Sequence, residues 1–429
     1  MGLPSKLIEP AGQTAVRVRR AYRRRLITIA IRALCAVLCA GIVEAAPARP
    51  QSPPPHSETA SQASLERQIN SALAQGKGSL AAEALDKLLE DPQLDSGMLL
   101  RTGIAFAQSA MYAEAVRAFS RCARDFPGLF EAHYNLALAE LARDHLAEAY
   151  AAIDRAPHKS EQESIARTYL RGKIEAGMGR LKQAQEDLAA AFEKDPGREN
   201  FGLDLGLVCL QAHAYRQSEK VFAQSSALNP HSNYLQLGLA LAQFLGGRTS
   251  QSLEASKQLV GASPEFSPAR LLLGFALYFD GDFAGALEVA RAGLKLPEPD
   301  PYLYYLEAAT LFKQHGAEQA QILNDLNVAE RKIPDCALCY VASGKVHEHQ
   351  NELQPALADL EKAVGLAPDL SEGWYHLAAV YARLGKAEEA GKAREHFAAM
   401  KANADEREKQ MMRGVLLKSL GAQGPGAGP

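Results

Sequence analysis

Apolar side chains recur three and four positions apart along most of the chain from about residue 62 onward. This spacing puts them on one face of an α-helix, whereas a half-buried β-strand alternates apolar and polar residues one by one. Each amphipathic segment is roughly a dozen residues long, the length of an ordinary helix. The segments come in pairs, and most pairs end near a proline, which cannot continue a helix: Pro92, Pro127, Pro196, Pro230, Pro264, Pro334 and Pro368. The pattern predicts an all-α chain built of helix pairs.

Small residues recur in register with these pairs. One lies in the first helix of each pair, at intervals of 34, 35, 34, 32, 36, 34, 36 and 34 residues: Gly103, Ala137, Gly172, Gly206, Gly238, Gly274, Ala308, Gly344 and Ala378. A second follows about twelve positions later: Ala115, Ala149, Ala184, Ser218, Ser252, Ala286, Ala320, Ala356 and Ala390. We expect both to let the two helices approach closely. Where the intervals slip, within 231–266 and 301–336, we expect lengthened turns or an altered superhelical pitch.

The turn inside each pair is also marked. Gly179, Gly281 and Gly385 stand between the two helices of their pairs, with Asp144 and Asn351 at the equivalent places. These residue types favour tight turns, because glycine tolerates left-handed backbone angles and Asp and Asn do so better than most residues.

Together the recurring prolines, small residues and turn residues resemble the pattern of the tetratricopeptide repeat family. The last full unit matches the family pattern through Trp374, Leu377, Ala378, Tyr381, Gly385 and Ala390, and departs at Arg394, where the family has a large apolar residue. The resemblance implies a right-handed α-solenoid of antiparallel helix pairs, with about nine full repeats, a degenerate N-terminal pair and a C-terminal capping helix. The units start near residues 96, 130, 165, 199, 231, 267, 301, 337 and 371.

The ends of the chain differ from the repeats. Seven basic residues crowd the first 25 positions, and an apolar stretch broken by Arg32 leads to small residues before Pro47, which is the pattern of a secretory signal peptide. We expect a signal peptide at 1–46, a Pro-rich linker at 47–61, the solenoid at 62–402, and a capping helix with a disordered tail at 403–429. An uncleaved N-terminal membrane anchor and an accidental resemblance remain alternatives. The prediction is an exported chain, periplasmic or secreted.

The charge balance argues against nucleic acid as a ligand. The whole chain has a net charge of −3, and removal of residues 1–46 leaves 39 basic and 48 acidic residues, a net charge of −9. Binding of a phosphate backbone needs clustered Lys and Arg. The basic run at the N-terminus is interpreted as part of the sorting signal.

The family resemblance also implies where a protein or peptide partner binds, because the first helices of such repeats line a concave groove. The positions carried over are Tyr134, Asn135, Tyr169, Lys173, Asp204, Gln236, Phe275, Tyr278, Phe279, Tyr302 and Tyr305. Aromatic side chains suit a peptide groove because they supply large contact area at low entropic cost. The alternative is that several of these rings simply pack between neighbouring helices.

The sequence offers no convincing catalytic or metal site and predicts no cofactor. Cys336 and Cys339 form a Cys-x-x-Cys motif, but His347 lies eight residues after Cys339 on the same predicted helix, about 12 Å along its axis. That separation is too large for a shared zinc ion, whose ligands lie about 2.0–2.3 Å from the metal. Two readings remain for the cysteines, a disulfide at the start of a helix or two free buried thiols.

The sequence therefore predicts a non-catalytic protein–protein interaction scaffold of the cell envelope. One alternative is a self-associating structural module, in which a second copy or the chain's own tail fills the groove. Another is an envelope enzyme subunit, which would need two carboxylates within about 10 Å of each other.

Overall fold

The computed structural model describes residues 60–314, 319–400 and Leu416. Within these residues every regular element is an α-helix, which confirms the all-α prediction. The helices are α1 Ala60–Ala74, α2 Gly78–Leu89, α3 Ser96–Gln108, α4 Tyr112–Asp125, α5 Phe130–Ala142, α6 Leu146–Asp154, α7 Glu161–Met178, α8 Leu181–Lys194, α9 Glu199–Gln211, α10 Tyr215–Leu228, α11 Asn233–Leu245, α12 Thr249–Ala262, α13 Ser267–Asp280, α14 Phe283–Leu294, α15 Tyr302–Lys313, α16 Gln319–Lys332, α17 Ala337–His349, α18 Leu353–Leu366, α19 Ser371–Arg383 and α20 Ala387–Met400.

The predicted signal peptide and most of the predicted linker and C-terminal segment lie outside the described residues. The first helix begins at Ala60, inside the predicted linker. In the C-terminal segment Leu416 alone is described; it is helical and 3% exposed. None of the described helices combines the length and the apolar character needed to cross a lipid bilayer.

The chain forms two compact units, which divide at residues 214 and 215. The first unit contains α1 to α9, with the successive pairs α1/α2, α3/α4, α5/α6 and α7/α8. Each pair is antiparallel because a turn of two or three residues reverses the chain between extensively packed helices. Met98, Phe106 and Phe119 are almost completely buried between neighbouring helices and form part of the core.

The second unit contains α10 to α20, with the pairs α11/α12, α13/α14, α15/α16, α17/α18 and α19/α20. Its apolar residues also lie between successive helices, as with Leu360 of α18 and Leu377 and Val380 of α19. Within the described residues of this unit, the helices pack chiefly against their neighbours in the stack, which is the packing scheme of repeat proteins.

A single residue with a left-handed backbone stands in the turn of most pairs. All five predicted turn residues have positive φ angles, from 62° at Asp144 to 86° at Gly281. The prediction for the turns is therefore confirmed. Ala110 occupies the same place between α3 and α4 with a φ of 57°. This turn residue was not predicted, because alanine normally avoids that region.

The recurring small residue of the first helix was assigned to the wrong position in one repeat. The small residue eight positions into α11 is Ala240, which is completely buried, and not Gly238. Ala240 lies 34 residues after Gly206 and 34 before Gly274. The apparent slip to 32 and 36 residues disappears, and the turn between α11 and α12 has the ordinary length of three residues.

A second irregularity lies in the connection that leads into α15. Seven residues, 295–301, separate α14 from α15, whereas four separate α12 from α13 and α16 from α17. Residues 315–318, between α15 and α16, lie outside the described residues. Ala320, predicted as the small packing residue of α16, is exposed. The buried residue in that turn of α16 is Ile322, which is 1% exposed. The connection before α15 is thus lengthened, the lengthened turn expected within 301–336 stays a prediction, and the buried position in α16 is Ile322 rather than Ala320.

The small residues of the first helices permit close packing, although not always with the predicted partner. A methyl group at Gly103 would overlap the Phe119 ring, and one at Gly172 would stand 2.9 Å from Leu188 Cγ, in each case on the second helix of the same pair. Gly274 instead faces Leu306 of the next first helix. On the second helix of the same repeat, the contacting atom is Val289 Cγ1, at 3.8 Å.

The first helix of one repeat starts earlier than predicted. α7 begins at Glu161 rather than near residue 165, and the preceding helix α6 has only nine residues. Ser160 and Glu163 form a capping box, in which each side chain accepts a hydrogen bond from the other residue's backbone N–H. These two residues were the available sequence evidence for the earlier start.

Candidate functional site: a polar cluster and an aromatic cluster

Several aromatic residues predicted to line an open groove belong to the helix packing. Phe275 has no exposed surface, and Tyr302 and Tyr305 each keep 7%. The rings of Phe275 in α13 and Tyr305 in α15 lie 6.4 Å apart, so neighbouring first helices bury each other's side chains. Tyr134 and Tyr169 are likewise 6% and 2% exposed. The prediction that these five rings offer surface to a partner is corrected, because adjacent helices already cover them.

In the first unit, the structure brings three of the predicted site residues together. Lys173 of α7 lies 2.9 Å from Asp204 of α9, measured from Nζ to Oδ2. The Tyr169 hydroxyl donates a hydrogen bond to the same carboxylate, and Asn200 donates one to the Tyr169 oxygen at 3.2 Å. We call Tyr169, Lys173, Asn200 and Asp204 the polar cluster. It links two successive first helices and leaves Lys173 and Asp204 about one fifth exposed, with side-chain values of 16% and 22%.

The electrostatics of the polar cluster keep Tyr169 neutral. Burial of the phenol, followed by the nearby Asp204 charge, raises the pKa of Tyr169 well above its ordinary value of 10.0. The hydroxyl therefore donates to Asp204 at all ordinary pH values. Because the lysine, the tyrosine and the carboxylate satisfy one another, the cluster is suited to holding α7 against α9 rather than to proton transfer.

Two further predicted site residues bond to the backbone near their own helices. Asn135 donates to the carbonyl oxygen of Glu131 at 2.8 Å, and Gln236 donates to that of Pro230 at 2.7 Å. Both amides are only partly buried. The structure does not join either of them to the polar cluster.

In the second unit, half-buried aromatic rings gather at the C-terminal ends of first helices. The ring of Phe279 lies 5.7 Å from Phe244 and 5.6 Å from Tyr278, and Tyr278 lies 5.4 Å from Phe283. We call Phe244, Tyr278, Phe279 and Phe283 the aromatic cluster. Phe244 is the residue before the end of α11, Tyr278 and Phe279 lie in the last turn of α13, and Phe283 begins α14. All four keep part of their surface accessible.

Half of the aromatic cluster was missed in the sequence. Tyr278 and Phe279 were predicted from the groove positions of the family, but Phe244 and Phe283 fall outside those positions. Their signal was nevertheless present, because Phe244 precedes Phe279 by 35 residues, one repeat length, and Phe283 opens the following helix. Neighbouring repeats stack such equivalent positions side by side.

The two cysteines of the Cys-x-x-Cys motif are joined in a disulfide. Their Cα atoms lie 5.3 Å apart at the start of α17, within the range that a disulfide requires. Cys336 and Cys339 are 4% and 0% exposed. Of the two readings that the sequence left open, the structure contains the disulfide. Cys122 and Cys209 are free and buried, and burial raises the pKa of the Cys122 thiol to about 12.

Three carboxyl groups in the second unit have raised pKa values. Burial raises the pKa of Asp325 to about 6, and burial followed by the charge of Glu330 raises that of Asp359 to about 6. Burial also raises the pKa of Glu330, which accepts a 2.6 Å hydrogen bond from the Ser343 hydroxyl. Raised carboxyl pKa values occur in enzyme sites, but also in helix packing. Here Glu330 and Asp359 face His347 and Ser343 between α16, α17 and α18.

Metal binding finds no support in the same part of the chain. Among residues 60–314 and 319–400, no group of three or more His, Cys, Asp or Glu side chains is arranged to hold a metal ion. His347 instead pairs with Glu352 at 2.6 Å, measured from Nδ1 to a carboxylate oxygen.

Comparison with known proteins identifies the repeat type. A family model for the tetratricopeptide repeat matches residues 67–128. The mouse protein named Superkiller complex protein 3 is 32% identical over 188 residues, which are 42% of this chain and 11% of that protein. The chain therefore matches only about a tenth of that relative's length.

Three solved structures match parts of this chain at low sequence identity. The APC/C heterotetramer Cut9–Hcn1 is 14% identical, covers 84% of this chain and 96% of its own, and has a TM-score of 0.44. MamA from Desulfovibrio magneticus RS-1 is 19% identical over 41% of this chain and 98% of its own, with a TM-score of 0.34. A tetratricopeptide repeat protein from Parabacteroides merdae is 16% identical over 75% of this chain and 98% of its own, with a TM-score of 0.37.

Proposed function

Because this chain is a tetratricopeptide repeat protein, we propose that it acts as a non-catalytic scaffold that binds a protein or peptide partner. The aromatic cluster is the observation that carries the proposal. Four half-buried rings from α11, α13 and α14 meet at one edge of the second unit. Clustered rings of this kind supply much contact area while losing little side-chain freedom on binding.

The packing alone does not require these rings. The interior of the same helices is already filled by completely buried residues such as Leu272 and Phe275. Phe244 and Phe279 lie near the ends of α11 and α13, next to the turns, and keep part of their surface exposed. An apolar segment of a partner that covered them would remove their exposed surface from water, which favours binding.

The test is affinity capture with the full-length chain as bait, followed by mass spectrometry of the retained proteins. The informative variant combines Phe244→Ala with Phe279→Ala and should lose a partner that the unchanged chain retains. The matched control is Leu228→Ala, since Leu228 is 51% exposed in the same unit but lies outside the aromatic cluster. A partner retained equally by all three chains would refute the role of the cluster. Circular dichroism should show unchanged helicity in both variants.

A second part of the proposal concerns location. The arginine-rich start and the short apolar stretch before Pro47 support export to the cell envelope, with cleavage after Ala46. The test is cell fractionation with a C-terminal tag, combined with determination of the N-terminus of the chain found in the cell. Recovery of a cytoplasmic chain that still begins at Met1 would refute export. A membrane-bound chain with an intact N-terminus would instead support the anchor.

A further inference from the structure

A depression with a volume of about 480 Å³ lies on the second unit beside the turn between α11 and α12. Arg216, Glu219, Lys220 and Ala223 of α10 line one side of it, and Gly246 and Arg248 of the turn line the other. Three of these six residues are basic and one is acidic. The lining therefore has an excess of positive charge.

Most of that positive charge is uncompensated. Arg248 forms an ion pair with Glu219, and the two side chains are 39% and 16% exposed. Arg216 and Lys220 are exposed and, among the residues that the structure describes, form no ion pair or hydrogen bond. They stand four positions apart, which places both on the same face of α10. Like charges at this spacing disfavour one another, so an anion between them would relieve that repulsion.

The charge of the depression is opposite to that of its surroundings. Residues 215–400 contain more acidic than basic side chains. A local excess of positive charge in an acidic unit selects for negatively charged groups and against positively charged ones. Arginine adds specificity for carboxylates, because its planar guanidinium matches both carboxylate oxygens.

The depression adjoins the aromatic cluster along the chain. Phe244 precedes Gly246 by two residues and Arg248 by four. Two residues of chain span at most about 7 Å, so Gly246 at the rim of the depression lies within that distance of Phe244, and an extended peptide advances about 3.3 Å per residue. The apolar contact and the basic depression can thus be occupied by one short segment.

We propose that this depression binds an aspartate or glutamate carboxylate of the protein partner, a few residues away from the apolar side chain that rests on the aromatic cluster. The inference rests on the proposed function, because the aromatic cluster supplies the apolar half of the contact. It adds the chemistry of the partner: a segment that is both acidic and apolar.

The probes are three fluorescent twelve-residue peptides that share the same leucine and phenylalanine positions. Their remaining positions are glutamate in the first, glutamine in the second and lysine in the third. Fluorescence anisotropy with the full-length chain should give a Kd for the glutamate peptide about tenfold lower than for the glutamine peptide, since two partly exposed charge contacts distinguish them. Added salt should narrow the difference through screening.

The variant that tests the depression combines Arg216→Gln with Lys220→Gln and should abolish the preference for glutamate over glutamine. The matched control combines Lys257→Gln with Lys295→Gln, which removes two exposed positive charges elsewhere in the same unit. Equal Kd values of the glutamate and glutamine peptides on the unchanged chain would overturn the proposal. So would absence of binding by the glutamate peptide, displacement of it by millimolar inorganic phosphate alone, or an equal loss in the control.

The outcome for the proposed function is read separately. Phe244→Ala with Phe279→Ala should weaken all peptides that bind, whatever their charge. If the aromatic substitutions weaken peptide binding and the substitutions of Arg216 and Lys220 leave the preference for glutamate unchanged, the scaffold proposal stands and the acidic partner is refuted. If the basic substitutions act and the aromatic ones do not, the depression binds anions without the aromatic cluster, which refutes the combined site.

Discussion

Gly344 in α17 lies so close to α18 that a methyl group added to it would stand 2.6 Å from Leu360 Cγ. Non-bonded carbon atoms normally approach to about 3.5–4.0 Å. Leu360 is completely buried, so it has no free space into which it could retreat. The absence of a side chain at residue 344 therefore sets the distance between the two helices.

We expect Gly344→Ala to lower the free energy of unfolding by about 1–3 kcal/mol, because it overpacks the contact with Leu360. Gly365→Ala is the matched control, since Gly365 is exposed in α18 with no atom within 4 Å of an added methyl group. That control should raise stability by about 0.5–1 kcal/mol through helix propensity. Chemical denaturation followed by circular dichroism measures both. Stabilisation by both substitutions would contradict the packing argument.

At residue 110 the native alanine should be less favourable than a glycine would be. Its φ of 57° in the turn between α3 and α4 costs an L-amino acid about 1–2 kcal/mol, whereas glycine adopts it without strain. We expect Ala110→Gly to raise the melting temperature of the chain despite the added flexibility of glycine. Ala105→Gly in the interior of α3 should lower it by weakening the helix. The left-handed turn is excluded if both glycines lower the melting temperature.

The sequence predicted the repeat architecture well because its evidence is repeated many times. The starts of most first helices fall within two residues of their predicted positions, as for Ser96, Ser267 and Ser371. The mark at Gly238 failed for a local reason: glycine and alanine both satisfy a rule for small residues, and Gly238 and Ala240 lie two positions apart. The equal spacing of 34 residues to Gly206 and to Gly274 decides for Ala240, while Gly238 is packed against Phe222 of α10.

The binding surface was less predictable than the fold. Groove positions carried over from the family specify which helix face a residue occupies, and not how much of it a neighbour covers. Phe275 and Phe279 are one helical turn apart, yet Phe275 is completely buried and Phe279 is partly exposed. The polar cluster could be expected from Tyr169 and Asp204, which lie 35 residues apart, one repeat length, but the exposure of Phe244 depends on the neighbouring turns.

The disulfide at the start of α17 should make the stability of the chain depend on the redox state of its two cysteines. A link between Cys336 and Cys339 restricts the unfolded chain, which should contribute about 2 kcal/mol for so short a loop. Reduction should lower stability by that amount in the unchanged chain but not in a Cys336→Ser, Cys339→Ala variant. Urea denaturation with and without dithiothreitol measures the difference. Alkylation of both cysteines in the unreduced, unfolded chain would show that the disulfide is not formed.

Asp325 makes stability depend on pH. It is 3% exposed, and burial raises its pKa from 3.8 to about 6, since the charged form is poorly solvated between α15 and α16. Between these two values the folded chain binds more protons than the unfolded chain. Stability contributed by this group is therefore full below pH 4, is lost as pH rises from about 4 to 6, and stays lost above that.

Asp325→Asn should abolish that loss, because asparagine fills the same space without a charge. At pH 7.5 we expect the variant to be more stable than the unchanged chain by about 1–3 kcal/mol, and at pH 4 the two should be nearly equal. The control is Asp369→Asn, which removes the same charge from an exposed side chain in the same unit and should change stability little at either pH. Urea denaturation at half-unit pH steps gives the comparison. A stability difference between the Asp325 variant and the unchanged chain that does not vary with pH would show that Asp325 does not titrate in this range, and that its effect comes from the hydrogen bond it accepts from Gln321.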